Sequence, residues 1–376
     1  MLSSMITLAA AAGSSNLEWF KELVNRFSVP EISLPLFFLP LFVLLLVAYK
    51  VWTRPLFAGT LLVLFCVFYF GSMAIDENYR AIVMKPDNVP ITMMLLGVGF
   101  CLWWGFRQAA INDERIKAGQ PLIEEDKDDK VLVWPDLVYT ELICMVIAAT
   151  VLIVWSVLLP APLESPANPA GPPNPSKAPW YFLGLQEMLV YFDPWMAGVV
   201  LPGMIITGLI AMPYIDTNPK GNGYYTFAQR KFAITVWLFG FLILWVVLIV
   251  FGTFLRGPNW NFFGPFQYWD AHLQVPLTNV NLSELFWGDL LDRPLPANPY
   301  VREIVGIVFV FLWICVLPYA LARTVMRKMY EQLGSVRFYV MAIHLVVMAM
   351  LPLKMVLRWT MHLKYFVNLP EINLNL

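Results

Sequence analysis

Long apolar runs, separated by short polar connections, dominate the pattern of this chain. A helix needs roughly 20 apolar residues to cross a hydrocarbon core about 30 Å thick, and about eight runs are long enough. The alternation of apolar and polar residues expected of barrel strands is absent. The pattern therefore predicts an all-α fold, a polytopic transmembrane helical bundle. The predicted spans are Leu34–Val51, Pro55–Ile75, Pro90–Phe106, Leu137–Leu159, Pro194–Ile215, Phe232–Leu255, Ile304–Ala322 and Phe338–Leu353.

Two segments beside these spans mix apolar and charged residues, which is typical of amphipathic helices in the membrane interface. One starts at Ser15, which forms a capping box with Glu18. The other runs from Lys354 to Val367. We interpret both as docking helices. The predicted organisation is an interfacial segment (1–30), a three-span extension (31–131), a central core with a long loop (132–299) and a two-span region with an interfacial tail (300–376).

Lys and Arg residues indicate the orientation of the chain. They are more frequent in one set of connections than in the other, and such residues favour the cytoplasmic side. Both termini, the Pro-rich loop after Leu159 and the long loop after Leu255 are therefore predicted on the outer side. The first residues, Met1 to Gly13, have no Lys or Arg ahead of their apolar stretch. This argues against a cleaved secretory signal.

Composition narrows the classes of function. The chain has 376 residues, of which 59% are hydrophobic and 14% charged, whereas a soluble domain carries roughly 25% charged residues. So few charged residues indicate that the chain is surrounded by lipid. The net charge of −1 argues against binding to nucleic acid, which requires clustered Lys and Arg. All four cysteines lie in apolar runs, without a C-x-x-C unit. The sequence thus predicts no c-type haem attachment, no Rieske cluster and no metal site in this chain.

The loop between the fourth and fifth spans carries the candidate chemistry. Its first half, Pro160–Lys177, is rich in proline, which fixes φ and makes the backbone stiff and extended. Its second half begins with Pro179-Trp180-Tyr181-Phe182 and is helical in pattern. The loop ends at Asp193-Pro194, a good N-cap and first-turn pair for the next span.

This loop resembles the E–F loop of cytochrome b, and the flanking spans, from about Pro135 to Leu255, resemble helices E, F and G of that family. The resemblance implies the C-terminal-half (subunit IV-like) cytochrome b subunit of a bacterial quinol:cytochrome c oxidoreductase, in the cytoplasmic membrane. It also implies that Pro179, Trp180, Tyr181 and Phe182 line the outer quinol-oxidation pocket. The remaining spans resemble those of longer C-terminal subunits in some bacterial menaquinol-oxidising complexes.

The resemblance further implies which cofactors and partners to expect. Haem b in this family is held by four histidines on two helices, and this chain has only His272, His344 and His362. The haem is therefore expected in a separate N-terminal-half cytochrome b subunit, and no redox centre is expected in this chain. A Rieske-type iron–sulfur protein, a cytochrome c subunit and a dimeric complex are also implied. The substrate would be menaquinol or ubiquinol at the subunit interface.

One departure from the family concerns the proton acceptor. The family tetrapeptide is Pro-Glu-Trp-Tyr, and here it is Ala178-Pro179-Trp180-Tyr181, so the usual acid is missing. Quinol oxidation needs an acceptor for a hydroxyl proton within hydrogen-bond reach. A helix starting at Trp180 would put Glu187 at i+7, on roughly the same face. We therefore predict that Glu187 is the catalytic acid–base group, although a Glu at the wet membrane interface would have the same sequence signal.

Other features allow other interpretations. The missing acid favours a non-catalytic membrane anchor subunit of a quinone-linked redox complex as the alternative. A secondary transporter should have broken helices with polar residues at mid-membrane, and the central spans are nearly free of charge. An ionisable residue within a span, such as His344, is a functional candidate. For His344 we favour an interhelical hydrogen bond.

Overall fold

The computed structural model describes residues 17–126, 131–158, 166–219, 225–372 and 374–376. Within these ranges the chain is mainly helical, and strand structure is limited to Asn368–Leu369 and Leu374–Asn375. Eight helical segments are long and apolar enough to cross a membrane, which confirms the predicted all-α polytopic fold. Spans 1 to 8 are Pro30–Val47, Pro55–Ile75, Asn88–Lys117, Val133–Leu158, Met196–Ile215, Lys231–Leu255, Ile304–Arg323 and Ser335–Met361.

The helices do not end where the hydrophobicity ends. Span 3 continues to Lys117, well past its apolar run, because charged side chains at a helix end remain compatible with the backbone hydrogen bonds. Span 8 continues past Leu353 to Met361. Lys354 to Met361 thus continue span 8, and the rest of the predicted interfacial segment, to Val367, is not helical. At the other terminus a helix passes through residues 17–28, and Ser15 of the predicted capping box lies outside the described residues.

The chain divides into two compact units. Unit 1 comprises Met1–Leu46, Asn174–Lys220 and Phe232–Leu376, and span 8 is its centre. Phe338 and Ala342 of span 8 are fully buried, and span 8 contacts spans 5, 6 and 7. The indole Nε1 of Trp313 in span 7 donates to the backbone oxygen of Val346 in span 8, at 2.8 Å. These contacts give unit 1 a packed apolar interior.

Span 8 approaches span 5 closely at His344. The ring Nδ1 lies 2.7 Å from the backbone oxygen of Val340, and Nε2 lies 3.1 Å from Thr207 Oγ1 of span 5. A Cβ placed at Gly208 would lie only 3.2 Å from a ring carbon of His344, so glycine allows this approach. The interhelical hydrogen bond predicted for His344 is therefore confirmed.

The C-terminal tail, described for residues 362–372 and 374–376, folds back onto the rest of unit 1. The backbone N–H of Lys364 donates to Val280 at 2.8 Å, and the ring of Phe366 stacks on Phe309 with centroids 4.7 Å apart. Phe366 in turn covers the buried ammonium of Lys354, whose Nζ lies 4.2 Å from the ring centroid. Such a cation–π contact stabilises a cation, and Lys354 Nζ has no hydrogen-bond acceptor among the residues that the structure describes. The tail is thus part of the folded unit.

Unit 2 comprises Val47–Pro173 and Gly221–Lys231, and a buried carboxylate joins its parts. Asp113, near the end of span 3, accepts a hydrogen bond from the hydroxyl of Tyr49 at 2.7 Å. It also accepts from the backbone N–H of Ala228, at 3.0 Å to Oδ2. Phe227 packs on the ring of Tyr49, with centroids 4.8 Å apart. Asp113 therefore ties the segment before span 6 to span 3.

Removing the Tyr49 hydroxyl tests this arrangement. We expect Tyr49→Phe to lower the free energy of unfolding by about 1.5–3 kcal/mol, because a buried carboxylate loses a hydrogen bond. SDS or thermal unfolding of the purified chain measures the change. Tyr139→Phe is the matched control, because Tyr139 is 55% exposed. Equal stability of the Tyr49 and Tyr139 variants would show that the buried hydrogen bond contributes nothing.

Span 4 differs from the other spans of unit 2. No residue of Val133–Leu158 is buried in the described part of the chain. A transmembrane helix with no covered face is surrounded by lipid or by another chain.

Candidate functional site

In the loop between spans 4 and 5, the side chain of Gln186 binds the backbone of two earlier loop residues. Gln186 Oε1 accepts from the backbone N–H of Ala178 at 2.8 Å. Its Nε2 donates to the backbone oxygen of Ser176 at 2.9 Å. A single turn then begins, in which Phe182 N–H donates to the oxygen of Pro179 at 2.8 Å. The amide of Gln186 thereby fixes the backbone directly ahead of the aromatic segment.

The same loop is attached to the end of span 6 and the segment that follows it. Lys177 Nζ donates to the backbone oxygen of Thr253 at 2.8 Å and lies 4.9 Å from the ring centroid of Trp269. Asn259 N–H donates to Asn174 Oδ1 at 2.6 Å. The backbone from Asn174 to Lys177 is therefore held at both ends.

A short helix, Leu183–Met188, packs closely on span 6. A Cβ at Gly252 would lie 3.2 Å from the backbone oxygen of Leu183, and a Cβ at Gly184 would lie 3.4 Å from Ile249 Cγ1. The two glycines allow the two backbones to approach each other. Leu183 is consequently buried. Its contact with span 6 fixes the position of the preceding turn along that helix.

The aromatic segment Trp180-Tyr181-Phe182 lies on the surface of unit 1. These side chains are 39%, 49% and 50% exposed, respectively. Their rings pack in sequence, with centroids 5.6 Å apart for Trp180 and Tyr181 and 4.7 Å apart for Tyr181 and Phe182. Pro179 before them is also exposed. The structure thus brings the four predicted quinol-binding residues together as one exposed apolar ledge with a phenol hydroxyl.

Glu187 has a different environment, because it is fully buried in an ion pair. Arg256, directly after span 6, donates from Nη2 to Oε1 at 2.7 Å and from Nε to Oε2 at 3.0 Å. The hydroxyl of Tyr191 lies 3.4 Å from Oε1. A bidentate pair of this kind fixes the carboxylate in both position and orientation.

The charges in this cluster affect each other's protonation. Burial would lower the pKa of Arg256, but the Glu187 carboxylate outweighs burial, and the net pKa is raised. Burial, followed by the charge of Glu187, raises the pKa of Tyr191 far above its usual range. Arg256 therefore remains a cation and Tyr191 a neutral phenol at any physiological pH.

The geometry differs from the sequence expectation in one respect. Trp180 and Glu187 were predicted to lie on the same helix face, on the assumption that an α-helix starts at Trp180. Instead, Trp180–Phe182 form a single 3₁₀ turn, and the α-helix begins at Leu183. None of the described hydrogen bonds joins Glu187 to Pro179, Trp180, Tyr181 or Phe182. The sequence also gave no signal for Arg256, which lies 69 residues from Glu187 along the chain.

The C-terminal tail reaches the far end of this loop. The hydroxyl of Tyr365 donates to Asp193 Oδ1 at 3.0 Å, and Trp195 Nε1 donates to the backbone oxygen of Asn375 at 3.2 Å. Burial, and then the hydrogen bond to Asp193, raises the pKa of Tyr365 to about 12. The start of span 5 is thus joined to the tail by two side chains.

The histidines of the chain do not match the bis-histidine ligation of haem b. No group of three or more His, Cys, Asp or Glu side chains among them could hold a metal ion. Among the three histidines, His344 already lies against Val340 and Thr207. Bis-histidine ligation of two haems needs four histidines, so these residues cannot provide it.

Residues 166–266 match the family model for cytochrome b(C-terminal)/b6/petD. Residues 166–266 are therefore similar to the C-terminal part of cytochrome b. The cytochrome b match begins within the Pro-rich loop and ends after span 6, so it contains the exposed ledge, Glu187 and Arg256. Cytochrome b-type chains are parts of quinone-linked redox complexes of the bc or b6f type that work with haem b. No solved structure matches the chain.

Proposed function

We propose that this chain forms one wall of an outer quinol-oxidation site in a respiratory quinol:cytochrome c oxidoreductase. The quinol, menaquinol or ubiquinol, binds between the ledge Pro179–Phe182 and a separate haem-b-binding subunit. It gives its electrons to that haem and to a Rieske-type iron–sulfur protein, and a cytochrome c subunit completes the dimeric complex. Both termini of the chain lie on the outer side of a bacterial cytoplasmic membrane.

The observation that carries this proposal is an exposed aromatic ledge on a fixed backbone. Ligand pockets are mostly apolar, with a few polar groups at defined positions. Trp180 and Phe182 offer apolar faces, and the Tyr181 hydroxyl can donate to a quinone oxygen. Because Gln186 and Lys177 hold the backbone before the ledge, little ordering is needed when quinol binds. A pre-ordered wall loses less entropy on binding.

Span 4 supports the proposed haem-bearing neighbour. None of its described residues is buried, and helices without a covered face are those available to a second membrane subunit. In the proposed complex span 4 packs on the N-terminal-half cytochrome b subunit. The redox centres lie in the other subunits, and this chain contributes binding and proton transfer.

Glu187 is the proposed proton acceptor, and its ion pair defines what that role requires. Both carboxylate oxygens face Arg256, so accepting a proton would weaken the pair. The Tyr191 hydroxyl already donates to Oε1 at 3.4 Å, and this hydrogen bond would remain when the pair with Arg256 is lost. Proton transfer to Glu187 therefore requires Arg256 to move away when quinol enters. If it does not move, Glu187 only supports the ledge, as in the alternative of a non-catalytic anchor subunit.

Substitutions in the assembled complex separate these roles. We expect Glu187→Gln to lower the quinol oxidation rate by about 10²–10⁴-fold, the usual contribution of a general base. Arg256→Gln keeps the carboxylate, and in complexes that remain folded it should retain more activity than Glu187→Gln. Steady-state quinol:cytochrome c reduction over a range of pH measures both variants, and melting temperatures confirm that the complexes are intact.

The matched control is Tyr268→Phe, since Tyr268 is 74% exposed and lies outside the ledge. Equal activity losses in Glu187→Gln and Arg256→Gln would indicate that Glu187 has a structural role and does not accept the proton. If Trp180→Ala and Tyr181→Phe also left the rate and KM for quinol unchanged, the ledge would not be part of the quinol site. The alternative of a non-catalytic anchor subunit would then remain.

A further inference from the structure

Two arginines flank a contact between span 3 and the residues that precede span 2. The indole Nε1 of Trp103 in span 3 donates to the backbone oxygen of Thr53 at 3.0 Å. Arg54 directly follows Thr53 and is the last residue before span 2. Arg107 lies one helical turn from Trp103, on the same side of span 3. Because arginine side chains are long, a group bound beside this hydrogen bond would be within reach of both guanidiniums.

Neither guanidinium has a counter-charge among the residues that the structure describes. None of the described ion pairs or side-chain hydrogen bonds includes Arg54 or Arg107. The carboxylates farther along span 3 are engaged elsewhere. Glu114 lies against Lys50, whose Nζ is 3.4 Å from Oε1, and Asp113 is buried in the hydrogen bonds described above. The positive charge of the two arginines is therefore available to a ligand.

The surface next to the two arginines has the character of a membrane interface. The rings of Trp103 and Trp104 lie side by side, with centroids 6.0 Å apart, and Trp residues are typical of the level of lipid head groups. Phe100, one turn farther into the apolar run, is exposed, and so is Leu56 at the start of span 2. A polar, positively charged region thus adjoins an exposed apolar surface.

We propose that Arg54 and Arg107 bind the phosphate of an anionic phospholipid, whose acyl chains lie along Phe100 and Leu56. A guanidinium presents several N–H donors in one plane, an arrangement that matches the oxygens of a phosphate. The tryptophans next to Arg107 lie at the level where the glycerol of the lipid would be. This site uses none of the residues of the proposed quinol site and does not depend on that function.

Two related ligands match these residues less well. A zwitterionic lipid would bring its ammonium close to two guanidiniums of the same charge. Free phosphate would pair with both guanidiniums but would leave the apolar surface of Phe100 and Leu56 uncovered. An anionic phospholipid is the ligand class that uses both the positive charge and the apolar surface.

Lipid retention by the complex purified in mild detergent tests the proposal. Native mass spectrometry counts bound lipid after titration with phosphatidylglycerol, with phosphatidylethanolamine, or with phosphatidylglycerol in the presence of inorganic phosphate. We expect the wild type to retain phosphatidylglycerol, and Arg54→Gln and Arg107→Gln each to reduce retention about five-fold or more. A double variant with lysine at both positions keeps the charges and should retain more lipid than either glutamine variant. Lys117→Gln, which removes an exposed charge at the end of span 3, is the matched control and should retain lipid like the wild type.

Equal retention of phosphatidylglycerol by all variants would overturn the proposal, and so would stronger retention of phosphatidylethanolamine. Displacement of the lipid by inorganic phosphate would assign the two arginines to a free anion instead. Melting temperatures show whether a loss of lipid reflects unfolding. If a glutamine variant melts earlier, the wild type decides, because salt screens exposed charges. Retention that falls as ionic strength rises supports the site, and retention that is independent of salt contradicts it.

Discussion

Arg256→Met should destabilise the chain by about 3–5 kcal/mol, because it leaves the Glu187 carboxylate buried without its counter-charge. Glu187 is fully buried, and the side chain of Arg256 is only 13% exposed. Two hydrogen bonds are lost together with the ion pair. SDS unfolding or thermal melting of the purified protein measures the loss. Glu187 stabilises the attachment of the loop to span 6 only while Arg256 faces it.

Two further variants make this prediction specific. The double variant Glu187→Gln with Arg256→Met removes both charges and should recover much of the lost stability. Arg327→Met is the matched control, because Arg327 and Glu331 form an exposed pair, with side chains 70% and 57% exposed. Exposed pairs contribute about 0–1 kcal/mol. Similar losses for Arg256→Met and Arg327→Met would mean that burial of the pair does not matter.

Gly306→Ala is expected to release the C-terminal tail. A Cβ at Gly306 would overlap the backbone carbonyl of Phe366, and a backbone group cannot rotate out of the way as a flexible side chain can. Overpacking costs about 1–3 kcal/mol, and losing the burial of Phe366 costs about 1.5–3 kcal/mol more. We expect a loss of about 3 kcal/mol or more in thermal unfolding, together with faster proteolysis after Met361.

The control for this prediction is another glycine substitution. Gly288→Ala should be tolerated, because no heavy atom lies within 4 Å of a Cβ placed there. A Gly306→Ala protein that melts like the wild type, with its tail still resistant to protease, would show that the helix and the tail adjust without cost. Release of the tail without a change in melting temperature would show that the tail does not stabilise unit 1.

The sequence predicted the parts of this structure that depend on local pattern. Eight apolar runs predicted eight spans, because hydrophobic length alone decides whether a helix can cross a membrane. The Pro-rich segment and Trp180-Tyr181 predicted where the loop would be, and the family match includes that region. The interhelical bond of His344 was also predictable, since a polar side chain within a span seeks a partner on another helix.

The rest depends on contacts between distant residues, which no periodicity encodes. Arg256 looks like an ordinary charge after a span, and only the folded structure brings it to Glu187. The i+7 spacing of Glu187 from Trp180 was misleading because the turn at Trp180–Phe182 is tighter than an α-helix. Lys354 looked interfacial because charge usually ends a span, yet Phe366 covers it. The role of each residue that the sequence misjudged is set by a neighbour far along the chain.

Span 4 has a consequence for how the chain matures. Since none of its described residues is buried by the chain itself, folding of this polypeptide alone fixes neither its tilt nor its rotation. A neighbouring subunit that covers the helix would fix its tilt and its rotation. Newly inserted chains would therefore persist in cells only when that subunit is synthesised at the same time. Synthesis without the neighbour would leave a lipid-bathed helix for membrane proteases to remove.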